Sequence, residues 1–302
     1  MKKVLITGAT GMVGQELVAL YHQNNIAVNY LTSSKKKLVN TDNYKGFYWD
    51  IAKNEIDNAC FENVDVIINL VGASIAERWT SSYKKEIISS RVDSAKLILE
   101  SLKTIRHSVT QIISASAIGY YPSSLTQFYN ESFTGVNPNF LGEVVAQWEA
   151  SIDAFKALEI TVSKIRIGLV LASGGGVLEK MSKPIKYGAG AAFGDGEQWQ
   201  SWIHVKDLVR QFFYVMEHKL EGVFNGVSPN PVTNEAFTKS IAHILNKPLI
   251  LPNVPKFAMK FALGEMHQIL FESQRVDSSK IEKIGFDFKY PNLETALEDL
   301  LN

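Results

Sequence analysis

Cysteine is the scarcest resource of this chain: Cys60 stands alone among 302 residues. No internal disulfide can form, and no cysteine cluster can hold a metal. The six histidines show no H-E-x-x-H or comparable spacing, so no metal site is expected. Neither sign of charge is in excess. Thirty-one Lys and Arg stand against 31 Asp and Glu, which leaves no field for nucleic acid or a membrane surface and only local attraction for a small acidic or phosphorylated ligand. Long apolar runs are missing too. Lys2-Lys3 before Val4-Leu5-Ile6 resembles the start of a secretory signal, but the run stops after three residues in Thr7-Gly8. The most apolar later stretch, Phe257 to Phe271, is interrupted by Lys260, Glu265 and His267 and cannot be a membrane span. It reads as one face of a packed helix. A cytoplasmic chain without membrane or nucleic-acid partners is expected. Repeats, low-complexity segments and a clean linker are absent as well, so two unequal lobes should pack directly on each other.

What is present is concentrated at the N-terminus. Val4-Leu5-Ile6 is followed by Gly8-Ala9-Thr10-Gly11-Met12-Val13-Gly14 and then by Gln15-Glu16-Leu17-Val18-Ala19-Leu20. A strand, a glycine turn and a helix in that order form a dinucleotide-binding unit. The glycines let the backbone approach a pyrophosphate, and the unpaired N–H groups at the helix start favour its negative charge. The spacing G-x-x-G-x-x-G differs from the commoner G-x-G-x-x-G, and a plain tight turn is the competing reading.

Apolar runs alternate with helical ones through the first half, at Val4–Thr7, Val28–Thr32, Gly46–Trp49, Val64–Leu70, Val109–Ser114 and Thr161–Leu171. That alternation predicts a doubly wound parallel α/β sheet of the Rossmann type over residues 1–170. Val66-Ile67-Ile68 suits a strand covered on both faces. A helix over about Ser90 to Leu102 carries an apolar stripe, as does one over Leu141 to Phe155. Each stripe serves either the core or a homodimer contact. From Leu171 the composition shifts to glycine, with Ser173-Gly174-Gly175-Gly176 and Tyr187 to Gly196 as loops. A smaller α+β substrate lobe is expected over 171–302, with parts of 200–230 returning to the first lobe. Helices are expected near Val205–Glu217, Asn234–Leu245 and Phe257–Glu272, and a strand at Gly222–Val227.

Past the second strand there is no Asp or Glu to hold an adenosine ribose 2′-OH. Ser33, Ser34, Lys35, Lys36 and Lys37 offer hydroxyls and cations suited to a 2′-phosphate instead, so NADP(H) is expected over NAD. A solvated lysine loop is the alternative for any one of them.

These residues resemble the extended short-chain dehydrogenase/reductase superfamily, which contains sugar-nucleotide epimerases and dehydratases. Asp50, with Ile51 beside it, resembles the adenine contact. Asn69-Leu70-Val71-Gly72-Ala73 resembles the loop beside the cofactor, and Ser114-Ala115-Ser116 the strand end that carries a catalytic serine. Over nearly the whole chain, a nearer resemblance is to the sugar-nucleotide epimerase-like family whose members carry the name cell division inhibitor. Its hallmarks resemble Ala76-Glu77-Arg78-Trp79-Thr80, Ser114 to Tyr121, Gln198 to His204, and Gly264-Glu265-Met266 with Glu272-Ser273-Gln274-Arg275-Val276. The last set resembles a C-terminal domain of unknown function, here over 247–302.

In the superfamily a Tyr-x-x-x-Lys pair moves the proton. Setting Glu149 against the acidic residue that usually follows puts Leu141 at the Tyr position and Val145 at the Lys position, and neither can do so. Glu143 lies between them but should face away, because two helical residues turn roughly 200 degrees. Tyr120 and Tyr121 could supply a phenol, or could simply pack. Ser116 can orient a carbonyl by hydrogen bonding. Arg78 could clamp an anion and Trp79 stack on a ring at the sheet's C-terminal edge. Trp199, Trp202, His204 and Arg275 are further candidates for the substrate pocket. Arg166 on a buried strand needs a partner, from ligand or protein. Two functions follow: an NADP-dependent oxidoreductase or epimerase-like enzyme with an unconventional proton donor and a small polar, nucleotide-sugar-like substrate, or a regulatory dinucleotide-binding protein that signals to a protein partner. A scaffold without a dinucleotide is opposed by the intact Gly8, Gly11 and Gly14.

Overall fold

A computed structural model describes residues 2–302. In chain order the first lobe runs β1 (Lys3–Thr7), α1 (Met12–Gln23), β2 (Ala27–Thr32), β3 (Tyr44–Asp50), β4 (Glu55–Ile56), β5 (Val66–Asn69), α2 (Ser81–Thr104), β6 (Gln111–Ala117), β7 (Phe128–Tyr129), α3 (Phe140–Asp153) and β8 (Thr161–Ile167). Then follow β9 (Leu169–Leu171), α4 (Gly176–Lys186), β10 (Trp199–Gln200), β11 (Trp202–His204), α5 (Val205–Glu217), β12 (Gly222–Gly226), β13 (Val232–Thr233) and α6 (Asn234–Ile244). The chain ends with α7 (Lys256–Leu263), α8 (Gln268–Phe271), β14 (Arg275–Val276), α9 (Ser279–Lys283) and α10 (Leu293–Leu301).

Eight strands form one sheet in the order β12-β8-β6-β5-β1-β2-β3-β4, parallel throughout except where β4 runs back along β3. This is the doubly wound α/β arrangement. The connections leave β1 in opposite directions, to β2 on one side and to β5 on the other. A crevice therefore opens beyond the carboxyl ends of β1 and β5, where such sheets bind ligands. Val4, Leu5, Ile6, Ile67 and Ile68 are fully buried, as strands covered by helices on both faces require. Cys60 is buried in the same core. The second lobe has its own core around Leu171, Trp202, Phe237, Ile241 and Leu297, and β12 joins its path back to the main sheet beside β8.

Three elements differ from the sequence expectation. The helix expected from about Ser90 begins nine residues earlier, at Ser81, where Thr80 accepts a hydrogen bond from the Tyr83 amide. The run Thr161–Leu171 breaks at Gly168, beyond which β9 leaves the main sheet to pair with β11; the backbones come so close there that a Cβ on Gly168 would lie 2.3 Å from the Ser201 carbonyl oxygen. The single helix expected over Phe257–Glu272 is divided at Gly264, whose φ of +61° ends α7 in a conformation L side chains rarely adopt. Nor is it a packed helix along its whole length, since Phe257 and Phe261 are 76% and 92% exposed. Among the described residues no helix is long and apolar enough to cross a membrane, and no group of three potential metal-ligating side chains occurs.

Candidate dinucleotide and substrate cleft

The glycine turn has steric reasons for each glycine. Gly8 holds φ at +73°, and a Cβ on it would touch the backbone of Leu70 at 3.2 Å. A Cβ on Gly14 would lie 2.2 Å from the Gly8 carbonyl oxygen, so α1 can approach β1 this closely only with glycine there. The Gly11 amide donates to the Gly8 carbonyl, and Gly11 caps α1 without a side-chain hydrogen bond to its first N–H groups. Those donors face the crevice and suit an anionic diphosphate. Thr10 and Val13 are half-buried around the turn, while Met12 reaches the loop at Gly175 and Gly176. The second lobe's glycine loop thus touches the start of α1.

A polar chain fixes the strand ends beside this turn. The Thr7 hydroxyl donates to Asn69 Oδ1 at 2.8 Å, Asn69 Nδ2 donates to Ser114 Oγ at 3.0 Å, and the Ser114 hydroxyl donates to the Ala115 carbonyl. The amides of Leu70 and Val71 both donate to Thr7 Oγ1. All three side chains are buried and paired, so the loop Leu70–Ala73 leaves the sheet at a set angle. Arg91 of α2 completes the hold. It donates to the carbonyls of Ile87 and Ala73, and its guanidinium occupies the space where a Gly72 Cβ would sit. Burial draws its pKa down to about 10, because no carboxylate offsets the desolvation. Ser90 accepts the Ala73 amide beside it. Sequence reading missed Arg91; a cation within an apolar helical stripe was the available signal.

At the rim, Ser34 is half-buried while Ser33 and Lys35 are exposed. The Lys35 ammonium stands 5.0 Å from the Tyr48 ring centroid. Asp50 accepts the Lys53 amide, and Ile51 follows it, both half-buried.

Beyond β6 the arrangement is less open than a catalytic serine needs. Ser116 donates to Glu149 at 2.6 Å, and Arg166 clamps the same carboxylate at 2.8 and 2.9 Å. Burial works against ionisation of Glu149, but the Arg166 hydrogen bonds and charge outweigh it, and the pKa falls. The partner Arg166 needed is therefore protein. Its guanidinium also lies 3.5 Å from the Tyr120 ring centroid. Tyr120 is half-buried, and its hydroxyl makes no hydrogen bond among the described residues. Tyr121 is different. It is fully buried, donates to Asn225 at 2.7 Å, and is pushed by burial up to about 12, which assigns it to packing. On α3, Leu141 and Val145 pack against Gly119, and Glu143 is exposed on the opposite side, paired with Gln147.

The substrate candidates separate. Trp79 is buried against Phe140 and its indole N–H donates to Ile75, so it is a core residue. Arg78 beside it is exposed near Gly264. Trp202 is fully buried with its N–H on the Asn230 carbonyl. His204 is equally buried: Nδ1 accepts the Lys206 amide, the ring stacks on Tyr290, and Nε2 lies 3.2 Å from Asp299 Oδ2, off the line of a hydrogen bond. Both belong to the anchorage of α10 rather than to the cleft. Arg275 is sandwiched between the rings of Phe128 and Trp199, at 4.9 and 4.5 Å. Glu265 makes an ion pair with Lys84 of α2.

Comparison with known proteins agrees with this geometry. Residues 4–226 match the NAD dependent epimerase/dehydratase family, and residues 254–300 match a domain of unknown function, DUF1731. An epimerase family protein of Staphylococcus aureus is 36% identical over 303 residues, with all of both chains covered. One from Staphylococcus epidermidis is 36% identical over 302 residues, covering 100% of this chain and 99% of the relative. Among solved structures, human epimerase family protein SDR39U1 with NADPH superposes with a TM-score of 0.85 and 25% identity, over 99% of this chain and 98% of that one. MoeE5 in complex with UDP-glucuronic acid and NAD shares the fold, with a TM-score of 0.80 at 19% identity, over 99% and 97%.

Proposed function

The chain belongs to the NAD dependent epimerase/dehydratase family, and on that premise we propose that it is an NADP-dependent oxidoreductase or epimerase-like enzyme whose proton transfer does not use a Tyr-x-x-x-Lys pair. The observation that carries this reading is the cradle of Gly8, Gly11 and Gly14, where a side chain at Gly14 would strike the Gly8 and Ala9 backbone and push the start of α1 away from the turn. Leu70 to Ala73, held by Thr7 and Arg91, form the opposite wall. Ser33, Ser34 and Lys35 would receive a 2′-phosphate, and Asp50 with Ile51 would border the adenine. The solved human relative with NADPH supports the phosphorylated cofactor.

A bound nicotinamide dinucleotide supplies hydride exchange with a substrate carbon. The protein must then position a carbonyl or hydroxyl and move one proton. Tyr120 is the best-placed phenol: its ring is fixed by Arg166 and its hydroxyl is unspent. Ser116 keeps an oxygen lone pair for a substrate hydroxyl, while its own proton is committed to Glu149. A small polar, nucleotide-sugar-like substrate fits the family. The second reading, a dinucleotide-binding regulator, draws on Leu141 and Val145, which place two aliphatic side chains where proton transfer is usually done.

Thermal unfolding with NADPH, NADP, NADH and NAD tests the cofactor first. A ligand at about a hundred times its Kd adds roughly 2.7 kcal/mol to the native state. A shift with NADP(H) and a smaller one with NAD(H) is expected; no shift with any of the four overturns the enzyme and the regulator readings together. Turnover of NADPH against a panel of carbonyl compounds then separates those two.

A further inference from the structure

The α7 helix carries a combination that the cofactor cleft does not explain. Phe257 and Phe261, one turn apart, are 76% and 92% exposed. Two phenylalanines so open on one short helix are unusual for a water-facing surface. Lys256 and Lys260 repeat the same one-turn spacing, which brings them to one face, and neither forms an ion pair among the described residues. Beside them lies a cleft of about 760 Å³ whose walls include Lys256, Phe257, Lys260, His267, Phe271 and Glu272.

The polar groups of that cleft divide into spent and free. Glu272 accepts hydrogen bonds from Asn137 and Asn139, which turns it toward the start of α3. His267 is engaged through Nδ1 with the Gly264 carbonyl. The Lys256 ammonium, by contrast, hangs 5.5 Å over the Phe271 ring, and Lys260 is free on the next turn. Glu272 balances part of the Lys256 charge across the cleft, and Lys260 adds a second ammonium without an ion pair among the described residues; with the aromatic walls, this surplus suits a ligand with a negative head and an apolar body. The apolar body would cover Phe257 and Phe271, and the head would bridge the two lysines.

We propose that the cleft between α7 and α8 binds an amphiphilic anion, an alkyl or aryl chain ending in a phosphate or carboxylate. The proposal does not depend on the reaction assigned to the dinucleotide crevice, although Ser123 of this cleft follows Tyr120 by three residues. The same chemistry could be offered by a free amphiphile or by an anionic lipid within a bilayer, and the cleft's walls favour the free molecule, which can enter it.

Calorimetric titration of the full chain with octyl phosphate below its micellar concentration tests this, with inorganic phosphate and octyl glucoside as the head alone and the tail alone. Octyl phosphate should bind at least tenfold more tightly than either. K256Q/K260Q and F257S should each weaken it at least tenfold while NADPH binding stays unchanged; all three side chains are exposed, so neither variant should disturb folding. Equal binding of inorganic phosphate, or octyl phosphate binding that survives K256Q/K260Q, overturns the proposal. Flotation with phosphatidylglycerol vesicles is the last arm. Association with those vesicles and none with octyl phosphate overturns the cleft in favour of a bilayer-docking face.

Discussion

Ser116 Oγ lies 2.6 Å from Glu149 Oε1 and donates a hydrogen bond to that carboxylate, both of whose oxygens Arg166 also holds. The residue that resembles a catalytic serine is therefore also a member of a buried charged network. Its hydroxyl can accept from a substrate without breaking that network, but it cannot donate to one without leaving Glu149.

S116A should consequently behave first as a stability mutation. A hydrogen bond to a charged group contributes about 1.5–3 kcal/mol, and urea unfolding should show a loss in that range, with NADPH affinity within about threefold of wild type. Full stability in S116A would contradict the assigned hydrogen bond.

G14A tests the cradle. The added methyl would sit 2.2 Å from the Gly8 carbonyl oxygen and 2.7 Å from Ala9 Cα, both backbone atoms that cannot swing aside. Overpacking of this kind costs about 1–3 kcal/mol, and α1 must shift away from β1 to relieve it. Titration with NADPH should show Kd raised at least tenfold. G174A is the control: its φ of +71° makes alanine strained, but no atom lies within 4 Å of the new Cβ, so cofactor affinity should hold.

The cradle was legible in the sequence because its signal is local: a strand, three glycines and a helix must be contiguous to work. The parallel sheet was legible for the same reason, from apolar runs such as Val66 to Asn69. His204 and Trp202 were not, since a polar or aromatic side chain looks alike whether it lines a cleft or pins two segments. Only the distant Asp299, Tyr290 and Asn230 decide that they are structural. Arg91 escaped notice because its partners are backbone carbonyls, which carry no sequence signature. The break at Gly264 lay within an apolar run whose periodicity ignores a single positive φ.

Stability should fall on acidification in two steps. Burial lowers the pKa of His204 despite Asp299 and Asp207, and Glu149 is lowered by Arg166 despite burial. For both, the folded value lies below the unfolded one, so their contribution is complete above the unfolded value and is lost as pH falls through the folded value. The first loss should begin near pH 6.5 and the second near pH 4.5, the ordinary histidine and glutamate values. H204Q should flatten the upper part of a plot of unfolding free energy against pH, and E149Q the lower part. Unchanged slopes would show that other groups govern acid unfolding.

The proposed preference for NADP(H) can be tested at the residues just past β2. The chain has no carboxylate there for a ribose hydroxyl, whereas Lys35 is exposed, forms no ion pair among the described residues, and stands over the Tyr48 ring at 5.0 Å. A cation held there favours a 2′-phosphate over a hydroxyl by Coulomb attraction, which salt should weaken because the group faces water. K35A should raise the Kd for NADPH about tenfold, equivalent to 1.4 kcal/mol, and leave NADH unchanged. S33D should do more, since an added carboxylate repels the phosphate and can accept from the 2′-OH. In S33D/K35A the preference for NADPH over NADH should therefore fall by more than in either single variant, and raising the salt concentration should weaken NADPH binding only where Lys35 is kept. Equal affinity of the native chain for NADPH and NADH would remove Ser33, Ser34 and Lys35 from the cofactor site.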